Sequence, residues 1–182
     1  PARLVGVHFF NPVAMMPLFE VVRTAATGDE AFRQAAAFVR KLDKLPLPVS
    51  DAPGFLVNAV LGPYMYEALR CVDEGIAPEA IDAALTSFGM PMGPIELVDT
   101  VGLDIAVAAG KALAGADAVL PRALADRVAA GQLGKKSGQG FYRWDGGKAQ
   151  KAAVPGVPEG LAGRILVPLL AAAENCVAKG VV

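Results

Sequence analysis

With 182 residues, 54% of them hydrophobic, and a formal net charge of −1, the chain can bury a core for one or two domains and carries no basic excess for nucleic acid. No run reaches about 18 unbroken apolar residues, so no membrane span is expected. The two cysteines, Cys71 and Cys176, and the single histidine, His8, lack neighbours at metal-ligand spacing, which predicts no metal site and a reducing, cytoplasmic compartment.

Leu4 to Phe10 and Leu18 to Val22 read as short β-rich runs, and the breaks at Asn11-Pro12 and Met16-Pro17 force a loop between them. A helix follows from about Asp29 to Leu42, opened by a capping box of Thr27 with Glu30 and carrying an apolar stripe of Ala31, Ala35, Phe38, Val39 and Leu42. A short run from Leu45 to Val49 completes what reads as the tail of an α/β domain. No G-x-G-x-x-G follows a strand, so a complete dinucleotide fold is not expected within these residues.

Asp51-Ala52-Pro53-Gly54 marks the domain boundary, because the pattern beyond it is nearly all helical. The spacing predicts a helix from Phe55 to Glu74 with Pro63 inside it and Gly75 as its stop. Further helices are expected from Pro78 to Leu85, from Ile95 to Ala114 with a break near Gly102, and from Pro121 to Gly131. Gly134 to Tyr142 is a glycine-rich loop that lacks the spacer of a phosphate-binding P-loop. Residues 145–159, rich in glycine and proline, read as a linker.

An internal repeat follows. A shift of 105 residues pairs Leu56 with Leu161, Pro63 with Pro168, Cys71 with Cys176, Val72 with Val177 and Gly75 with Gly180. Residues 160–182 therefore read as the truncated start of a second helical copy. Asn58 pairs with Gly163, so packing of the helix does not require the amide. It is either placed for chemistry or bonded to nearby backbone.

The chemistry centres on His8 and Glu20, twelve residues apart on the two β-rich runs. Strands joined by a short loop can set them side by side, with the carboxylate keeping one ring nitrogen as N–H and orienting the imidazole as a general base. The plain alternative is a satisfied strand histidine. Asn11 before Pro12 also fits ordinary turn chemistry, and Lys136 a solvated loop charge. Met15, Met16, Met90 and Met92 either fill irregular gaps or line an acyl channel.

His8-Phe9-Phe10-Asn11-Pro12, Glu20, Pro53-Gly54-Phe55-Leu56-Val57-Asn58, Pro91-Met92-Gly93-Pro94 and Gly134-Lys135-Lys136-Ser137-Gly138-Gln139-Gly140-Phe141-Tyr142 occur in one order. Together they closely resemble the L-3-hydroxyacyl-CoA dehydrogenases over about residues 3–182. The second copy makes the chain similar to the dehydrogenase region of a multifunctional fatty-acid oxidation α subunit, with a stand-alone 3-hydroxybutyryl-CoA-type enzyme as the alternative.

The resemblance implies a mainly α chain: the tail of an NAD-binding α/β domain (1–50), the all-helical dehydrogenase C-terminal domain (51–144), the linker and the second copy. It implies His8 as the base, Glu20 as its orienting partner, Asn58 as a substrate-binding catalytic residue, and Asn11 and Lys136 as NAD contacts. Acyl-CoA would be the substrate, and a thiolase β subunit a partner in the parent complex. The family's glycine turn, ribose-binding acid and upstream serine would precede Pro1. The piece alone is thus expected to be inactive, to bind little NAD and to self-associate through open strand edges. A non-catalytic helical docking module and an acyl-CoA carrier are the competing classes.

Overall fold

A computed structural model describes residues 1–115 and 117–182. Its contacts divide it into two compact units, one of residues 1–59 with 173–182 and one of residues 60–172.

The first unit is built on three strands, β1 (Gly6–Phe9), β2 (Leu18–Arg23) and β3 (Leu45–Ser50), in the order β1-β2-β3. β1 runs antiparallel to β2, with His8 opposite Glu20. β3 runs parallel to β2, reached through α1 (Asp29–Lys41). Leu45 donates its N–H to Pro17 O on the β2 side at 2.8 Å, so Pro46 and Pro48, one residue out of step, turn their donorless nitrogens away from the ladder. That is why a run with two prolines makes a strand, and an edge one.

β2 is central and buried on both faces. Phe19 and Val21 pack with Val39 of α1, joined by Val5, Val7, Phe32 and Ala35. Glu20 and Val22 occupy the other face. Two expectations for α1 are corrected. Its N-cap is Gly28 without a side-chain cap, because Thr27 instead donates to Leu4 O at 2.8 Å and accepts from Thr24 N. Its inner stripe also turns toward Ala36 and Val39, leaving Phe38 and Leu42 exposed.

The second unit is helical. α2 (Val57–Asp73), α3 (Pro78–Phe88), α4 (Pro94–Val101), α5 (Leu103–Ala114) and α6 (Arg122–Ala129) follow in order, with the predicted break at Gly102. α2 begins in the first unit, and α7 (Leu161–Ala178) ends there. Tyr64, Leu69, Ile81, Leu85, Ile95, Val98, Leu103, Leu124, Tyr142, Leu161 and Ile165 form the core of the second unit.

Part of the expected linker is ordered structure. Gly146 and Gly147, both at positive φ, turn a hairpin between β4 (Arg143–Asp145) and β5 (Lys148–Gln150). α7 is long and apolar enough to cross a membrane by length and composition, although Arg164 and Glu174 interrupt it. Its Leu161 and Ile165 lie in the core of the second unit.

The repeated positions share a backbone cap. Gly75 and Gly180 have positive φ and donate to Val72 O and Val177 O, while Ile76 and Val181 donate to Cys71 O and Cys176 O.

Candidate active site

The register of β1 on β2 puts His8 and Glu20 on one face as directly opposed residues, and His8 Nδ1 lies 2.7 Å from Glu20 Oε2. Glu20 is fully buried, and the imidazole is 33% exposed. A buried carboxylate must be hydrogen-bonded at both oxygens. Oε1 meets that need by accepting from Leu56 N and Val57 N, both at 2.9 Å, at the N-terminus of α2. These are amides that the helix itself cannot satisfy, so one carboxylate orients the imidazole and caps a helix together.

The approach to those amides is unusual. Gly54 and Phe55 have φ of 78° and 48°, and a bulky residue in the left-handed region costs about 1–3 kcal/mol. The Phe55 ring centroid lies 5.5 Å from that of His8, and Phe10 meets the imidazole edge-on at 4.8 Å. Among the described residues Nε2 of His8 has no hydrogen-bond partner. The ring is therefore tied at Nδ1, flanked by two aromatics and unpartnered at Nε2.

The remaining expected residues are placed less tightly. Asn58 follows Val57 on α2, exposed, and Asn11 lies in the exposed loop after β1; among the described residues neither side chain makes a hydrogen bond. Lys136 belongs to the second unit, where its Nζ is 2.6 Å from Asp104 Oδ2 and holds that carboxyl below its usual range. A hollow of about 930 Å³ beside α1 is lined by Val5, Val7, Ala35 and Phe38, on the sheet face away from His8.

Two buried carboxylates, Asp82 and Asp99, carry no local signal in the sequence. Asp82 accepts from Ile95 N, Glu96 N, Tyr142 Oη and Lys151 Nζ, and Asp99 from Phe141 N, Tyr142 N and Trp144 Nε1. A Cβ on Gly93 would stand 2.2 Å from the Asp82 carboxyl, and one on Gly140 the same distance from the Asp99 carboxyl. The glycines of two of the motifs thus make room for carboxylates, a signal readable only once the partner is known.

Residues 54–144 match the family model for the C-terminal domain of 3-hydroxyacyl-CoA dehydrogenase, and residues 1–52 match the model for its NAD binding domain. The chain belongs to the 3-hydroxyacyl-CoA dehydrogenase family. A probable 3-hydroxybutyryl-CoA dehydrogenase of Deinococcus radiodurans is 46% identical over 151 residues, covering 79% of this chain and 54% of that protein. The fatty acid oxidation complex subunit alpha of Vibrio cholerae is 37% identical over 202 aligned positions, covering 100% of this chain and 28% of that one.

Among solved structures, 3-hydroxybutyryl-CoA dehydrogenase from Escherichia coli K12 superposes with a TM-score of 0.76 at 40% identity, over 87% of this chain and 34% of that chain. The chain thus spans about half of one curated relative and little more than a quarter of the other. Its amino-terminal residues belong to the family's NAD-binding domain, and they fit only part of the cofactor. The exposed Asn11 amide, unbonded among the described residues, leaves a polar group open to a ligand, while residues 1–52 hold no G-x-G-x-x-G turn for the pyrophosphate.

Proposed function

We propose that this chain carries the proton-transfer residues of an enzyme that oxidises L-3-hydroxyacyl-CoA to 3-oxoacyl-CoA with NAD in fatty-acid β-oxidation. The observation that carries this reading is the fully buried Glu20 holding Nδ1 of His8 while Nε2 stays unpartnered. With Nδ1 as the donor to Glu20, Nε2 holds the lone pair that takes the proton of the 3-hydroxyl, and in reverse Nε2 returns it to the ketone oxygen. Glu20 offsets the positive charge that His8 gains, and the two α2 amides offset the charge of Glu20. When bound, NAD supplies the nicotinamide that accepts hydride from C3.

Asn58 is assigned to hydrogen-bonding the substrate beside the reacting carbonyl, and Asn11 to the cofactor. Their exposed, internally unbonded amides support both roles. Lys136 is assigned to the cofactor as well, in a role that requires it to exchange its bond to Asp104 for a ligand. We further assign residues 160–182 to a second helical copy, supported by the matching caps at Gly75 and Gly180. The alignment of the whole chain with a fatty acid oxidation complex subunit alpha supports a parent that works within a complex, and to that parent we assign further activities, a cytoplasmic location and a thiolase β subunit as partner. The open edge of β1 supports self-association, and a strictly monomeric species in sedimentation at micromolar concentration would count against it.

The central test replaces the aligned part of the Deinococcus radiodurans relative with this chain and follows NADH formation from 3-hydroxybutyryl-CoA. The chimera turns over, and His8→Ala or Glu20→Gln lowers kcat by roughly 10²- to 10⁴-fold without changing its oligomeric state. Full turnover in His8→Ala would sink the reading and leave a docking role.

A further inference from the structure

One hydrogen bond does not fix an imidazole. Held only at Nδ1, the ring of His8 keeps freedom to swing about the bond to Glu20, and a base that swings spends less time aimed at its proton. Two aromatic rings lie against the imidazole, and they reach His8 by different routes. Phe10 comes from two residues along the chain after His8. Phe55 comes from the far end of the first unit's segment, delivered by a backbone that a phenylalanine adopts only under strain.

The strain has a geometric product. Phe55 N closes a turn onto Ala52 O at 2.9 Å, and the left-handed pair Gly54-Phe55 then reverses the chain so that the next two N–H groups, Leu56 and Val57, converge on one oxygen of Glu20. Glycine at position 55 would keep that path free of strain and would lose the ring. The ring against His8 is therefore what phenylalanine adds at this position.

We propose that Phe55 is a positioning residue for the His8–Glu20 pair, its ring limiting rotation of the imidazole while its left-handed backbone aims the α2 amides at Glu20. The inference rests on the reading of His8 as the base, but it makes a claim about geometry that can be measured without turnover. Because His8 is the only histidine in the chain, its imidazole gives a single set of resonances.

The experiment compares the 182-residue chain with Phe55→Leu, Phe55→Gly and Phe55→Tyr, reading the exchange rate of the Nδ1 proton and the pH titration of the ring by NMR. Phe55→Leu and Phe55→Gly speed Nδ1–H exchange by at least about tenfold with backbone spectra intact, and Phe55→Tyr restores the original rate. Unchanged exchange in a folded Phe55→Leu or Phe55→Gly overturns the proposal. So does loss of fold in both, which makes Phe55 a folding residue only.

In the Deinococcus chimera, Phe55→Leu lowers kcat about tenfold with KM nearly unchanged. If exchange responds while His8→Ala retains turnover, the positioning stands and the dehydrogenase reading fails.

Discussion

Tyr64 buries a phenol completely, and its Oη finds no hydrogen-bond partner among the described residues. Burying a hydroxyl without a partner costs about 1–3 kcal/mol of lost hydration, offset in part by the packing of the oxygen, so Tyr64→Phe is expected to leave stability at pH 7 unchanged or higher by about 1 kcal/mol. Burial, with Asp82 nearby, pushes this phenol up to about 12 from 10.0. Below pH 10 both folded and unfolded chains keep the proton and the contribution is whole. Between pH 10 and about 12 the unfolded chain releases it first, so stability falls as pH rises. Urea unfolding across that window should show a shallower alkaline loss in Tyr64→Phe, with a residue left by Tyr142, which burial and Asp82 shift the same way. At this scale His8 and Glu20 were legible, because two proline breaks between two β-rich runs leave a hairpin as the simplest path. Tyr64 was not, since nothing in its neighbours announces a missing partner.

α1, α3, α4, α5 and α6 all lack a side-chain cap from their own N-cap residue. Carboxylates from elsewhere take over at three sites: Glu20 for α2, Asp82 for α4, and Asp73, which accepts from Arg122 N and Ala123 N, for α6. A local capping pattern reaches only about three residues, whereas the Thr27 hydroxyl is committed to Leu4 O, 23 residues away. Water can replace Asp73 at its exposed site, so Asp73→Ala should cost about 1 kcal/mol. Asp99→Ala should cost about 3 kcal/mol, because it strands the N–H groups of Phe141, Tyr142 and Trp144 away from water. Gly140→Ala drives a methyl into the same carboxylate and should lower the denaturant midpoint to a similar degree, with the m-value unchanged.

α2 and α7 carry matching residues at a shift of 105, but their charges differ. Arg164 on α7 bonds Glu67 at 2.7 Å and grips Glu74 with both terminal nitrogens, while Arg70 pairs with the same two acids. Residues 59 and 172, which stand at the repeat-related positions of Arg164 and Glu67, are alanines, so the lock works in one sense only. The hydrogen bond from Arg164 holds the Glu74 carboxyl below its usual range, so the pair contributes above about pH 4.5 and is lost as pH falls through the lowered value. Arg164→Ala should therefore speed hydrogen exchange of the amides from Ile165 to Ala172 at pH 7. It should do so less at pH 3 or in high salt, where the lock is already weakened. Equal acceleration under all three conditions would show that packing, rather than charge, holds the helix.

Features that depend on near neighbours are legible from the residues alone: the strand pair that opposes His8 and Glu20, the helical periodicity beyond residue 54, the glycine stops at Gly75 and Gly180, and a set of motifs specific enough to imply the family. Long-range packing sets which amides hold the second oxygen of Glu20, makes glycine necessary at positions 93 and 140, and lays Phe55 against His8. The reason is physical. A periodic pattern records which side of an element meets the core, whereas the partner of a buried carboxylate is set by the path of the chain across dozens of residues, and no local residue preference encodes that path.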